Sequence, residues 1–190
     1  NNFFVQGLDE VGGDLVNRMS AGNRMIELDL PTAPVCKSST MDLTIIREVF
    51  DNCFAAAKVL GDASSLLEQM RDALEKLHPI KIGSHGQLQE WNEDFTECTP
   101  GMGHVSHLYG LYPGDQFTPA KQSELYNAAG TSIRRRMSHG GHTSHWPASW
   151  AICLLARLKD GFQSGRICQS FFSKLGMNMM TADTYQLDCI

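Results

Sequence analysis

The chain has 190 residues, 42% of them apolar and 19% charged, enough to bury a sizeable core in one domain. Its net charge of −5 weighs against nucleic acid or an anionic membrane surface as the main partner. No apolar run approaches the roughly 20 residues that span a bilayer.

Residues 1–38 show no periodic pattern. Gly12-Gly13, the stretch RMSAGNRM, Pro31 and Pro34 read as loop with short extended pieces. The chain opens on Asn1-Asn2-Phe3-Phe4, with no Met and no basic-then-apolar leader visible, and closes on TYQLDCI without capping residues, so both ends read as cuts through a longer protein. Order begins at SSTMDLTIIREVFDNCFAAAKVLGD, where Leu43, Ile46, Val49, Phe50, Cys53, Phe54 and Ala57 recur at helical spacing. Ser39 or Thr40 is placed to cap this helix and Gly61 to end it. A second helix follows Asp62, with Leu66, Leu67, Met70, Leu74 and Leu77 on one face and Pro79 as its stop.

Residues 83–117 read mostly as loop, with a short helix around Val105 to Leu111. Thr118-Pro119 then offers a cap followed by proline at the first helical position, predicting a helix from Ala120 to Met137. SHGGHTSHWP reads as loop, ASWAICLLARLKDG as an apolar helix ending at Gly161, and QSGRICQSFFSKLG as another ending at Gly176. Strand-like alternation is almost absent, which makes the class all-α. The paired helices and residue-rich loops fit a ring of helical hairpins with functional loops at one end, although periodicity does not separate that from a bundle.

Six cysteines (Cys36, Cys53, Cys98, Cys153, Cys168 and Cys189) form no CxxC pair. Cys53 and Cys153 fall in apolar helical stretches, where a free thiol packs as a small hydrophobe. The run Arg134-Arg135-Arg136 reads as a solvated or salt-bridged helix end.

The chemistry concentrates in HGQLQEWNEDF and GHVSHLYGLYPG. Glu90, Glu93 and Asp94 beside Trp91 offer carboxylates for hydroxyls and an indole face for a sugar ring. Glycosidic cleavage needs an acid for the leaving oxygen and a base for water, and a carboxyl beside an apolar ring has its pKa raised towards the acid role. A capped turn with solvated acids explains the same residues. His104 and His107, at i and i+3, share a face if helical, for hydrogen bonds to substrate, metal ligation or simple packing. His139, His142 and His145 suggest zinc, but neither HExxH nor a Cys pair supports it. The glycines between them more simply let the backbone pass close to another loop or a ligand. GxSxG, a phosphate-binding loop and GxGxxG are also missing.

Taken in order, PIKIGSHGQLQEWNEDF, GHVSHLYGLYPG, RRRMSHGGHTSHWPASWAICLLARLKDG and YQLD resemble family 95 of the glycoside hydrolases. This is the α-L-fucosidase family, some members of which act as α-L-galactosidases. The resemblance is specific over about residues 40–165 and returns at 185–188. It implies part of an (α/α)6 barrel, a six-hairpin toroid incomplete on its N-terminal side, with residues 1–38 as a lead-in and 39–190 as a partial catalytic domain. It further implies removal of terminal α-L-fucose from glycans with inversion, a secreted or extracellular setting, and no metal or cofactor. Asp188 falls on the family's aspartate that sharpens a water-activating asparagine. His104 falls on a sugar-contacting histidine, and Glu90 and Trp91 fall on a Gln-Glu-Trp segment that builds the pocket. His107 and Trp146 complete the expected sugar contacts. Trp91, His104 and Asp188 are expected to converge on one hollow.

The departures are as informative. Gly103 stands where the family has a sugar-binding arginine. LPTAPVCKSSTMD joins flanks that the family separates by a Ser-Pro-Glu-Asn segment carrying the general acid. The asparagine pair would lie upstream of Asn1. His145-Trp146-Pro147 replaces a Gly-Trp-Ser run, and Cys189-Ile190 replaces the Gly-Asn after the aspartate. Loss of a positioned acid lowers rates by roughly 10²- to 10⁴-fold, so the chain alone is expected to hydrolyse little or nothing. Two rivals remain: a non-catalytic carbohydrate-binding remnant, and a zinc hydrolase built on the three-histidine loop.

Overall fold

A computed structural model describes residues 38–97, 99–143 and 145–173. Among them lie five α-helices and no strand beyond an isolated bridge between Ile82 and Leu88. This is the all-helical architecture expected of part of an (α/α)6 barrel.

Helix α1, Thr40–Leu60, starts where Ser39 Oγ accepts from Asp42 N at 3.1 Å and ends at Gly61, whose φ of 68° suits glycine. Helix α2, Ser65–Lys76, stops three residues short of Pro79, since a residue before proline avoids helical dihedrals. The expected helix around Val105 to Leu111 shrinks to a 3₁₀ turn, Ser106–Leu108, followed by further turns.

Helix α3, Ser123–Ser138, begins later than Thr118-Pro119 suggests. Thr118 caps a separate turn instead, its Oγ1 accepting from Lys121 N at 3.1 Å and its carbonyl from Gln122 N at 2.9 Å. Helix α4, His145–Arg157, reaches back into the segment read as loop. Pro147 does not stop it, because N–H groups of the first turn have no intrahelical partner to lose. Gly161 was expected to end this helix and instead opens α5, Gly161–Ser173. The break falls at Lys159, with φ of 60°, where Asp160 N bonds back to Leu155 O at 2.9 Å. Asp160 then caps α5 through Gln163 N at 3.2 Å.

The core lies between α3, α4, α5 and the long loop rather than under α1 and α2. Leu88, Val105, Leu108, Leu111 and Phe117 from the loop meet Ala128, Ala129 and Ile133 of α3 and Ala151, Leu154 and Leu155 of α4. Gly110 matters here: a Cβ would fall 2.7 Å from the Phe117 ring, whose residue also donates its N–H to Gly110 O at 2.8 Å. Cys153 is partly buried as expected, whereas Cys53 is exposed, because the face of α1 that carries it meets little of the described chain.

Candidate functional site

Four backbone-directed bonds hold the segment around Glu90. Leu88 N donates to Ser132 Oγ at 2.9 Å and to Ala128 O at 3.3 Å on α3. On the other side, Thr40 N donates to Glu90 O at 2.9 Å, and Thr40 Oγ1 donates to Gln89 O. The start of α1 and the middle of α3 thus fix one short strip of loop between them.

On that strip the Glu90 side chain, 20% exposed, accepts from Arg136 Nη2 at 2.9 Å. Arg136 Nη1 donates to Thr99 O at 3.2 Å, so one guanidinium ties both ends of the 90–99 loop to α3. Burial raises the Glu90 pKa, with Arg136 pulling it down and Glu97 pushing it up. His107 Nδ1 stands 3.8 Å from Glu90 Oε2, beyond a direct hydrogen bond. Burial, reinforced by the Arg136 charge, drives the His107 pKa well below its ordinary value, so its imidazole is neutral. Gln87, Glu90, Trp91, His107, Ser132 and Arg136 line a cavity of about 30 Å³ here, too small for a sugar ring.

Asp94 does different work from its neighbour Glu90. It accepts from Ser84 N at 2.6 Å and from Gln87 Nε2 at 3.0 Å, and the Ser84 bond lowers its pKa against a smaller opposing effect of burial. It is the cap of a turn.

His104 and His107 do not share a face. Val105, at φ −131° and ψ 41°, is not helical, so the 3₁₀ turn begins only after His104 has left the chain in another direction. His104 meets Trp146, ring centroids 5.7 Å apart and tilted by 53°, and burial lowers its pKa. Trp146 is 40% exposed and lies 6.4 Å from the Trp150 ring. Trp150 is fixed in turn by its Nε1 donating to Tyr112 O at 3.2 Å. This aromatic row is the more open of the two clusters.

The glycines of the histidine loop do let backbones pass closely. A Cβ at Gly141 would fall 3.0 Å from Gly101 O, and one at Gly103 would fall 2.5 Å from Pro147 Cγ. His139 Nδ1 lies 2.9 Å from Arg135 O, while His142 lines a separate cavity of about 570 Å³ between α3, α4 and α5. Among the described residues no three His, Cys, Asp or Glu side chains are grouped to hold a metal ion.

Of the expected site residues, Glu90, Trp91 and His107 form one cluster, and His104 and Trp146 form another. None of these five lines the larger cavity. Asp188 lies outside the described residues. The sequence reading missed the place of Arg136. Three consecutive arginines on a helix sweep about 200°, so they cannot all share one face. Arg134 is exposed, Arg135 pairs with Glu97, and Arg136 is the inward one.

Residues 3–189 match the model of the glycosyl hydrolase family 95 catalytic domain. The chain is 36% identical over 148 residues to an alpha-L-fucosidase 2 from Arabidopsis thaliana, an alignment covering 74% of this chain and 17% of that protein. It is 29% identical over 126 residues to a probable alpha-fucosidase A from Aspergillus oryzae, covering 61% of this chain and 17% of that one. A probable alpha-fucosidase A from Aspergillus niger is 32% identical over 121 residues, covering 57% of this chain and 15% of its own length. The chain therefore spans about one-sixth of the curated relatives it matches.

Proposed function

Because the chain belongs to the glycosyl hydrolase family 95 catalytic domain family, we propose that it is part of an inverting, α-L-fucosidase-like glycoside hydrolase acting on fucosylated glycans. The family match across nearly the whole chain carries this reading, and the alpha-fucosidase relatives support it. A secreted or extracellular setting is part of the proposal, in keeping with the glycans such enzymes meet.

Trp146 and His104 are the residues proposed to meet the sugar, the exposed indole offering a face and the imidazole a hydrogen bond. Glu90, Trp91 and His107 contribute from behind, Glu90 through the exposed fraction of its carboxylate. Glu90 is not assigned the acid role: Arg136 holds it, and the cavity beside it is too small for the sugar that would bring a leaving-group oxygen there. Asp188 is proposed to sharpen the water-activating group, on its resemblance alone. With the acid-bearing segment lost between Pro34 and Thr40 and glycine at 103, turnover by this chain is proposed to be impaired or absent.

The accessible aromatic row also favours a second reading, a carbohydrate-binding remnant of the same fold. Incubating the 190-residue chain with fucosylated oligosaccharides, with calorimetry beside a release assay, tests both. Binding is expected, weakened by about tenfold in Trp146→Ala, which corresponds to about 1.4 kcal/mol. Binding without release supports the remnant. Release of fucose that disappears in Asp188→Ala would overturn the impairment, and absence of any fucose-dependent heat or release would sink both readings.

A further inference from the structure

The cavity beside Glu90 poses a hydrogen-bonding question that its protein neighbours leave open. Trp91 and His107 both line it, at 7% and 2% exposure, and neither Trp91 Nε1 nor His107 Nδ1 has a protein partner within reach. A buried polar atom without a partner is costly, and two of them on residues lining one cavity are uncommon in a native interior. The indole N–H is purely a donor, so whatever satisfies it must accept. Glu90 is purely an acceptor when ionised, so whatever reaches it must donate. His107 Nδ1 and Glu90 Oε2 lie 3.8 Å apart, a separation at which a bridging water rather than direct contact is the natural link.

We propose that this cavity is a binding site for internal water, which accepts from Trp91 Nε1 and donates to the Glu90 carboxylate, with His107 Nδ1 as its third partner. The volume fits: about 30 Å³ is available, where a buried water needs roughly 10–15 Å³ and two to four polar partners. The bridge completes a network running from Thr99 through Arg136 and Glu90 to Trp91 and His107. It joins the 90–99 loop to the 3₁₀ turn, which no direct side-chain hydrogen bond among these five residues does. The site stands whether or not the chain acts on sugars.

The test is cross-relaxation between water and the three indole N–H groups of the ¹⁵N-labelled 190-residue chain. Trp146→Phe and Trp150→Phe assign the Trp91 signal by elimination and leave the cavity intact. The Trp91 N–H is expected to show a negative cross-peak to water, the sign of a water that stays through many molecular tumblings. In Ser132→Ala the cross-peak is expected to persist, excluding relay through the neighbouring hydroxyl. In His107→Phe, whose larger ring offers no hydrogen bond and takes space from the cavity, it is expected to vanish while the Trp91 N–H signal remains. No cross-peak in the parent chain, its loss in Ser132→Ala, or its survival in His107→Phe would each overturn the proposal.

Discussion

Glu90 and Arg136 set each other's state. The carboxylate is buried enough for its pKa to rise, and the guanidinium 2.9 Å away opposes that rise. Removing one partner of such a pair strands the other. Arg136→Ala is therefore expected to destabilise the chain by about 3 kcal/mol in urea unfolding, partly recovered in the double variant Glu90→Gln with Arg136→Met. If Arg136→Ala unfolded at the parent's midpoint, the pair would have no structural weight. His107 gives a pH dependence of definite sign. Its folded pKa lies far below the ordinary 6.5, so below pH 6.5 the unfolded chain takes up a proton that the folded one refuses. Its contribution is present above that value and lost as pH falls towards the depressed pKa. His104, also lowered, acts in the same direction, while the raised Glu90 opposes both by favouring the folded state at acid pH. His107→Gln is expected to flatten the loss of unfolding free energy between pH 6.5 and 5, and an unchanged slope would contradict the burial argument. At this scale the sequence named most of the polar groups but not their partners. Glu90 and Asp94 look alike in QEWNED, yet one meets a guanidinium from 46 residues away and the other caps the turn at Ser84.

Helix ends were legible where the signal was local. Ser39 and Gly61 close α1 through bonds made within four residues, so composition alone placed them. Gly161 misled because a glycine is compatible with either end of a helix, and Lys159 took the left-handed position instead. Pro147 misled in a similar way, since proline within the first turn removes nothing the helix needs. The meeting of the 99–104 loop with the start of α4 could not be read, because it joins segments distant along the chain. At Gly103 a Cβ would lie 2.5 Å from Cγ of the Pro147 ring. Gly103→Ala is expected to cost about 1–3 kcal/mol by overpacking. Adding Pro147→Ala removes the clashing ring carbon, so the double variant should lose less than Gly103→Ala alone, which a thermal melt of the four proteins checks. Strict additivity would mean that the two residues do not compete for the same space.

At the scale of the molecule, α1 and α2 stand apart from the main core. Val59 and Leu60 are 86% and 80% exposed, and Val49 and Leu66 are exposed with them. Apolar patches of this kind are covered by a partner or drive association. The 190-residue chain is expected to self-associate with concentration in sedimentation velocity, and Val59→Lys with Leu60→Gln to reduce it. The same pair should shift unfolding by no more than about 0.5 kcal/mol, since neither side chain is packed. A monodisperse parent chain would show that these faces are tolerated as they stand. By itself the sequence determined the helical class, four of the five helices to within a few residues at most of their ends, and the family, because helical period, caps and motif order are properties of neighbours along the chain. Only the tertiary structure decided that Arg136 turns inward to Glu90, that His104 and His107 part company, and that α1 leaves Val49 and Cys53 of its apolar face exposed. Those outcomes depend on which distant segments meet, and contacts between distant segments leave no period in the sequence.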